Sequence, residues 1–174
     1  VVIPTQDFGK IYAEWKKICK EMPFALCLGV DPAIAMIAGY PLPSRISEGE
    51  VIGGWYGEPV DVVKCETNDL LVPASSEIVI EGFASLDHMV PEGPMGEYGG
   101  YVWSGKNKPV PCFDVTAMTY RDNPIMPLCV AGVPTEENHT NWGISIAASI
   151  QNVLDKKGFP IKECFIPMES AAHW

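Results

Sequence analysis

Between Val60 and Val130 the chain is cut by Gly, Pro and Asn into short apolar segments, and this rhythm leaves little room for helices. Val60 to Cys65, Leu70 to Val72, Glu77 to Glu81, Gly99 to Trp103, Phe113 to Arg121 and Ile125 to Val130 all read as strands. So many short strands in succession predict a small antiparallel barrel or sandwich. Helical periodicity is confined to the flanks. Phe8, Ile11, Tyr12, Trp15, Ile18, Cys19 and Met22 recur at helical spacing and predict an amphipathic helix from about Asp7 to Glu21. Phe24 to Val30 reads as a buried strand. Asp31-Pro32 reads as N-cap and first turn of a helix reaching Ala38, and Pro41-Leu42-Pro43 enforces an extended loop. Ser47-Glu48-Gly49-Glu50 fits a capping box opening a short helix before Gly53-Gly54. Thr135 caps a last helix with Trp142, Ile146, Ile150, Val153 and Leu154 on its apolar stripe. Gly158 ends it, and Ile161 to Ile166 reads as a final strand. With no internal repeat or linker, residues 1–174 are expected to form one α+β domain, helices around a small β-barrel.

Composition narrows the function classes. Apolar residues make up 47% of the chain, enough to build a core, whereas charged residues are only 20%. Sparse charge suggests that other domains or subunits cover part of the surface. The net charge of −10 argues against a nucleic-acid partner, which requires a basic face. Cys19, Cys27, Cys65, Cys112, Cys129 and Cys164 form no C-x-x-C pair and sit in apolar stretches, so buried, reduced thiols of a cytoplasmic protein are expected. No apolar run is long enough to span a bilayer, and no signal peptide is visible. Val1 without a preceding Met, and Trp174 directly after a strand-like segment, read as cuts from a longer protein.

Glu92 and Glu97 bracket Gly93, Pro94, Met95 and Gly96. Such a segment cannot be a regular helix and must turn. It is either a solvent-exposed loop or a turn that aims two carboxylates at one point. In the second case, mutual repulsion in a poorly solvated site raises one pKa and keeps a proton available near neutral pH.

Neighbouring segments extend this pattern. Pro73-Ala74-Ser75-Ser76-Glu77-Ile78-Val79-Ile80-Glu81-Gly82, then Glu92-Gly93-Pro94-Met95-Gly96-Glu97-Tyr98 and Gly100-Tyr101, resemble the central part of UbiD-family decarboxylases, nearest the ferulic acid decarboxylase branch. Pro23-Phe24-Ala25-Leu26, Val63-Lys64-Cys65-Glu66-Thr67-Asn68-Asp69-Leu70, Thr119-Tyr120-Arg121-Asp122-Asn123 and Glu137-Asn138-His139-Thr140 extend the likeness over nearly the whole chain. The resemblance implies a split β-barrel middle domain whose family partners, the N- and C-terminal parts, are missing here. It implies prenylated FMN as electron sink, supplied by a separate flavin prenyltransferase, and reversible loss of carbon dioxide from aromatic or α,β-unsaturated acids. Glu97 takes the position of the proton donor. Glu92 takes that of the first glutamate in a Glu–Arg–Glu network whose arginine lies before Val1.

The resemblance also distributes ligands. Glu48 falls on the glutamate that binds a Mn2+ ion (or Mg2+) anchoring the flavin phosphate; read from the residues alone, it is a first-turn carboxylate favourable to the helix dipole. Asp7 stands where the family has histidine; it is either a substituted ligand or only a helix-start carboxylate. The carbonyls of Ile37, Ala38 and Tyr40, with Glu48, fall on a K+ or Na+ site. Tyr40 and Pro41 line the flavin, with Gln6 close to it, and Tyr98 and Trp142 fall on substrate-facing positions. Trp142 also fits the apolar stripe of its helix; facing the pocket, it would stack on a flat acid. His139 reads as a structural histidine near a helix start, while His88 and His173 carry no motif. Missing segments or other chains of the same enzyme are expected partners, in a homo-oligomer. Two alternatives stand beside this reading: a non-catalytic fragment or subunit of such an enzyme, and an ordinary FMN-binding split-barrel oxidoreductase.

Overall fold

The computed structural model describes residues 6–40, 42, 46–96, 102–103, 109–128 and 137–167. Helix α1 (Asp7–Lys17) leads into strand β1 (Met22–Leu28), followed by α2 (Pro32–Ala38) and α3 (Glu48–Tyr56). Strands β2 (Val62–Lys64), β3 (Leu71–Pro73), β4 (Ile78–Pro91), β5 (Met95–Gly96), β6 (Val102–Trp103) and β7 (Pro109–Tyr120) precede α4 (Glu137–Lys156). The result is a mixed α and β architecture with antiparallel pairing throughout the described strands.

The local punctuation behaves as its chemistry dictates. The Asp31 carboxylate accepts the Ala33 amide at 2.9 Å and starts α2 behind Pro32. The Ser47–Glu50 capping box forms in both directions, at 2.9 and 3.2 Å. Helix α3 nevertheless runs through Gly53-Gly54 to Tyr56 and stops at Gly57, whose φ of 76° is left-handed. A favourable N-terminus thus carries the helix past two poor helix formers until a residue leaves helical space. Helix α1 ends at Lys17 rather than Glu21. The amides of Ile18, Cys19 and Lys20 turn back onto the Trp15 and Lys16 carbonyls, and Cys19 takes a φ of 54°.

The main sheet has the order β1-β4-β7. Strand β4 is central and long, running well past the Glu77–Glu81 segment legible in the sequence, because β7 continues to pair with it as far as Pro91↔Pro109. Both prolines of β7, Pro109 and Pro111, are tolerated because β7 is an edge strand. Up to Ala84, even-numbered residues of β4 face α1, where Tyr12 and Met22 pack on Ala84. Odd-numbered residues face the β2–β3 hairpin, where Cys65 and Val72 pack on Val79. Gly82 is required by close approach: a Cβ there would lie 2.0 Å from the Asp114 carbonyl oxygen, at a register shift between Glu81 and Gly82.

Three expectations fail. Residues 125–128 of the Ile125–Val130 run and the whole of Ile161–Ile166 form no strand; an apolar run becomes a strand only where a partner edge exists. Cys19 is exposed, whereas Cys65 is buried and Cys27, Cys112 and Cys164 are partly buried; all five are free thiols. Thr135, the expected cap of α4, and Cys129 lie outside the described residues. Gly158 does follow α4 at a φ of 75°. Among the described residues, no helix is long and apolar enough to cross a membrane.

Candidate functional site

The Glu92 turn grows out of the end of β4. Once Pro91 has made the last β4–β7 pair, Gly93 takes a φ of 88° and the Gly93–Pro94 peptide is cis. Only glycine adopts that φ without strain, which is the physical content of the Gly-Pro spacing. Met95–Gly96 then pairs with Val102–Trp103 in a short two-stranded ladder. Glu92 is half-buried at the base of this excursion. Glu97 and Tyr98 lie outside the described residues, as does Pro41.

Glu48 is the first residue of α3 and is exposed. It borders a cleft of about 860 Å³ between α3 and the β2–β3 hairpin, with Glu50, Glu58, Val62 and Leu71 among its walls. Its oxygen donors suit a hard divalent cation, so the local chemistry is compatible with Mn2+ or Mg2+. Asp7, the first residue of α1, is exposed and pairs with Lys10 at 2.9 Å, while Gln6 occupies the N-cap position without a side-chain cap bond. At the other end of α2, Ile37 is buried and Ala38 exposed. The Ile37 carbonyl accepts the Tyr40 amide at 2.9 Å, which leaves one of its two lone pairs for a further partner. The Tyr40 hydroxyl hydrogen-bonds Ser149 of α4, tying the turn after α2 to that helix. Trp142 belongs to α4, though its side chain is outside the description.

Sequence reasoning passed over Glu81. It is 1% exposed, the most deeply buried charged residue described. Its carboxylate accepts the Glu66 amide at 3.0 Å, the Thr67 amide, and the Thr67 hydroxyl at 2.6 Å. Burial, the largest single influence, pushes its pKa up. The bonds from Thr67, Cys65 and Glu66 together outweigh burial and hold it below the ordinary glutamate range. Burial, followed by the Glu81 carboxylate, pushes the neighbouring Cys65 thiol up to about 11. Glu81 therefore clamps the Glu66-Thr67 loop to the central strand. The available signal was a charge in the inward register set by Val79.

A second carboxylate has a similar local duty. The Tyr56 hydroxyl first, and the Ala33 amide next, hold Asp31 below its usual range and tie α3 to the start of α2.

Residues 1–134 match the family described as UbiD, 3-octaprenyl-4-hydroxybenzoate carboxy-lyase Rift-related domain. The chain is 48% identical over 172 residues to pyrrole-2-carboxylic acid decarboxylase of Pseudomonas aeruginosa, covering 99% of this chain and 34% of that protein. It is 44% identical over 176 residues to ferulic acid decarboxylase 1 of Saccharomyces cerevisiae, covering 100% of this chain and 35% of that protein. The chain thus spans about a third of the length of these curated relatives. Among solved structures, an evolved dimeric form of the UbiD-class enzyme HmfF from Pelotomaculum thermopropionicum, in complex with prFMN, superposes with a TM-score of 0.85 at 28% identity, covering 97% of this chain and 39% of that one. The 3,4-dihydroxybenzoic acid decarboxylase AroY of Klebsiella pneumoniae gives the same TM-score at 26% identity, covering 97% and 36%.

Proposed function

This chain belongs to the UbiD family, and on that premise we propose that the protein is a prenylated-FMN-dependent, reversible, non-oxidative decarboxylase of aromatic or α,β-unsaturated carboxylic acids. Residues 1–174 are its single central domain, a small split β-barrel flanked by helices that carries the flavin and metal ligands. The relatives that are named decarboxylases, and the neighbouring structure in complex with prFMN, support the reading. The observation that carries it is the turn at the end of β4, with Glu92 half-buried and Gly93 at a φ of 88°.

The flavin, when bound, supplies the electron sink for loss of carbon dioxide. The chain's own residues position the reactants and move the proton. Glu97 delivers a proton from its carboxyl group to the carbon that carried the carboxylate, and is left ionised until it is reprotonated. Glu92 orients Glu97 through a Glu–Arg–Glu network whose arginine is outside this chain. Glu48 and Asp7 would hold a Mn2+ (or Mg2+) ion, which would supply the positive charge that anchors the cofactor. Lys10 engages only Oδ1 of Asp7, in an exposed pair of small energetic value, so Oδ2 stays open to the ion. The carbonyls of Ile37, Ala38 and Tyr40, with Glu48, would hold K+ or Na+. Gln6, Tyr40 and Pro41 line the flavin, and Tyr98 and Trp142 face a flat acid. The cofactor comes from a flavin prenyltransferase. Exposed apolar side chains on the main sheet, such as Leu26, Val115, Met118 and Tyr120, fit a surface covered by the rest of the enzyme or by other copies in a cytoplasmic homo-oligomer.

The test uses the full-length protein produced together with a flavin prenyltransferase. Its absorbance spectrum and release or exchange of carbon dioxide are measured for wild type and Glu97→Gln. Glu97→Gln keeps the flavin and loses turnover by roughly 100-fold or more. Retained turnover sinks the proton-donor role. Binding of ordinary FMN alone, without carbon dioxide release or exchange, sinks the decarboxylase reading in favour of an oxidoreductase.

A further inference from the structure

We propose that His88, Cys112 and Asp114 bind a zinc ion, with water in the fourth position. None of the three has a role in the reaction proposed above. They come together because of an irregularity in the β4–β7 ladder. Ala84 pairs with Phe113 and Met89 with Pro111, so Ser85, Leu86, Asp87 and His88 stand opposite Cys112 alone. The surplus chain must bulge, and a bulge re-aims side chains.

This bulge is anchored at its start. The Ser85 carbonyl accepts the buried Tyr12 hydroxyl at 2.8 Å, and the Ser85 hydroxyl donates to Glu21 at 3.2 Å. The His88 amide donates to the same Ser85 oxygen at 3.1 Å. Helix α1 and the turn after it therefore fix where His88 emerges. Across the ladder, Cys112 and Asp114 are two residues apart on β7 and share one strand face.

The donor atoms converge as a ligand set. His88 Nδ1 lies 3.0 Å from Asp114 Oδ1, and one ligand atom from each of the three residues lies within 4.8 Å of the others. Tetrahedral zinc, with bonds of about 2.0 to 2.3 Å, separates its ligands by roughly 3.5 Å. Side-chain rotation of about 1 Å closes the set. One imidazole, one thiolate and one carboxylate favour zinc over the harder Mg2+ or Mn2+. His88 and Asp114 are 57% and 48% exposed, so a fourth, water-filled position is open to solvent. Cys112 is a free thiol.

Cobalt(II) reports the site directly, because only a thiolate ligand gives an intense near-ultraviolet charge-transfer band, and the oxygen ligands proposed for the flavin-linked metal cannot produce it. Full-length protein stripped with a chelator is titrated with cobalt(II) and then with zinc. With excess Mg2+ present to fill the oxygen-ligand site, one equivalent of cobalt produces the band and one equivalent of zinc removes it. Cys112→Ser abolishes the band, Cys65→Ser retains it, and His88→Gln and Asp114→Asn each weaken zinc binding by roughly tenfold or more. Circular dichroism confirms that the variants fold. In the wild type, zinc protects Cys112 from alkylation, as read by peptide mass spectrometry. Absence of both band and protection leaves a His–Asp ion pair only and overturns the proposal, as does a band that survives Cys112→Ser.

Discussion

Strand β4 carries one glutamate near its start and is followed by another just past its end, and the two have opposite fates. Glu81 is buried, accepts bonds from two backbone amides and a hydroxyl, and is held ionised by them. Glu92 is half-buried where the ladder stops and a left-handed glycine turns the chain. A carboxylate surrounded by fixed donors is structural, since moving its proton would orphan every donor at once. A carboxylate on a turn beyond the sheet can be aimed at another group. The same residue type is a clamp within the strand and a candidate for proton chemistry just beyond it.

The largest expected effect tests that contrast at Glu92. Glu92→Gln in the full-length protein lowers carbon dioxide release by roughly 100-fold, with little change in thermal midpoint. A parallel loss of stability would make Glu92 a second clamp. Next comes Glu81→Gln, which weakens charge-assisted bonds in a buried place and destabilises by about 1 to 3 kcal/mol in a urea titration. The pH dependence sharpens this expectation. The folded pKa of Glu81 lies below its unfolded value, near 4.3 in model peptides. Its contribution is therefore fully present above the unfolded pKa and is lost as pH falls through the folded one. Wild type should show this acid loss of stability, and Glu81→Gln should flatten it. The smallest effect is at Tyr40→Phe, which removes the bond to Ser149 and costs about 1 kcal/mol. A larger fall in flavin occupancy than in stability would show that this turn is held for the cofactor.

Legibility followed the range of the interactions. Asp31 and the Ser47–Glu50 box could be read directly, because donor and acceptor lie within three residues of each other. The Gly93 turn was legible for the same reason. The length of β4 was not, since it depends on β7, whose residues come much later in the chain. Nor was the clamp at Glu81, whose donors belong to the Glu66-Thr67 loop. Ile161 to Ile166 had the apolar content of a strand, but no partner strand pairs with it among the described residues. The roles given to Gln6, Asp7, Ile37 and Ala38 rest on family likeness alone, because nothing in their local chemistry separates a ligand from an ordinary cap or turn residue.

The central place of β4 also sets an order of events during synthesis. Strand β1 leaves the ribosome well before its neighbour exists, and β4 stays half-satisfied until Tyr120 has followed it. The main sheet is thus closed by its last strand, through contacts distant in sequence, which is the slow kind of folding. A nascent chain halted before Pro109 would expose a two-stranded ribbon with the β4 edge bare as well as that of β1, the form that chaperones are expected to recognise.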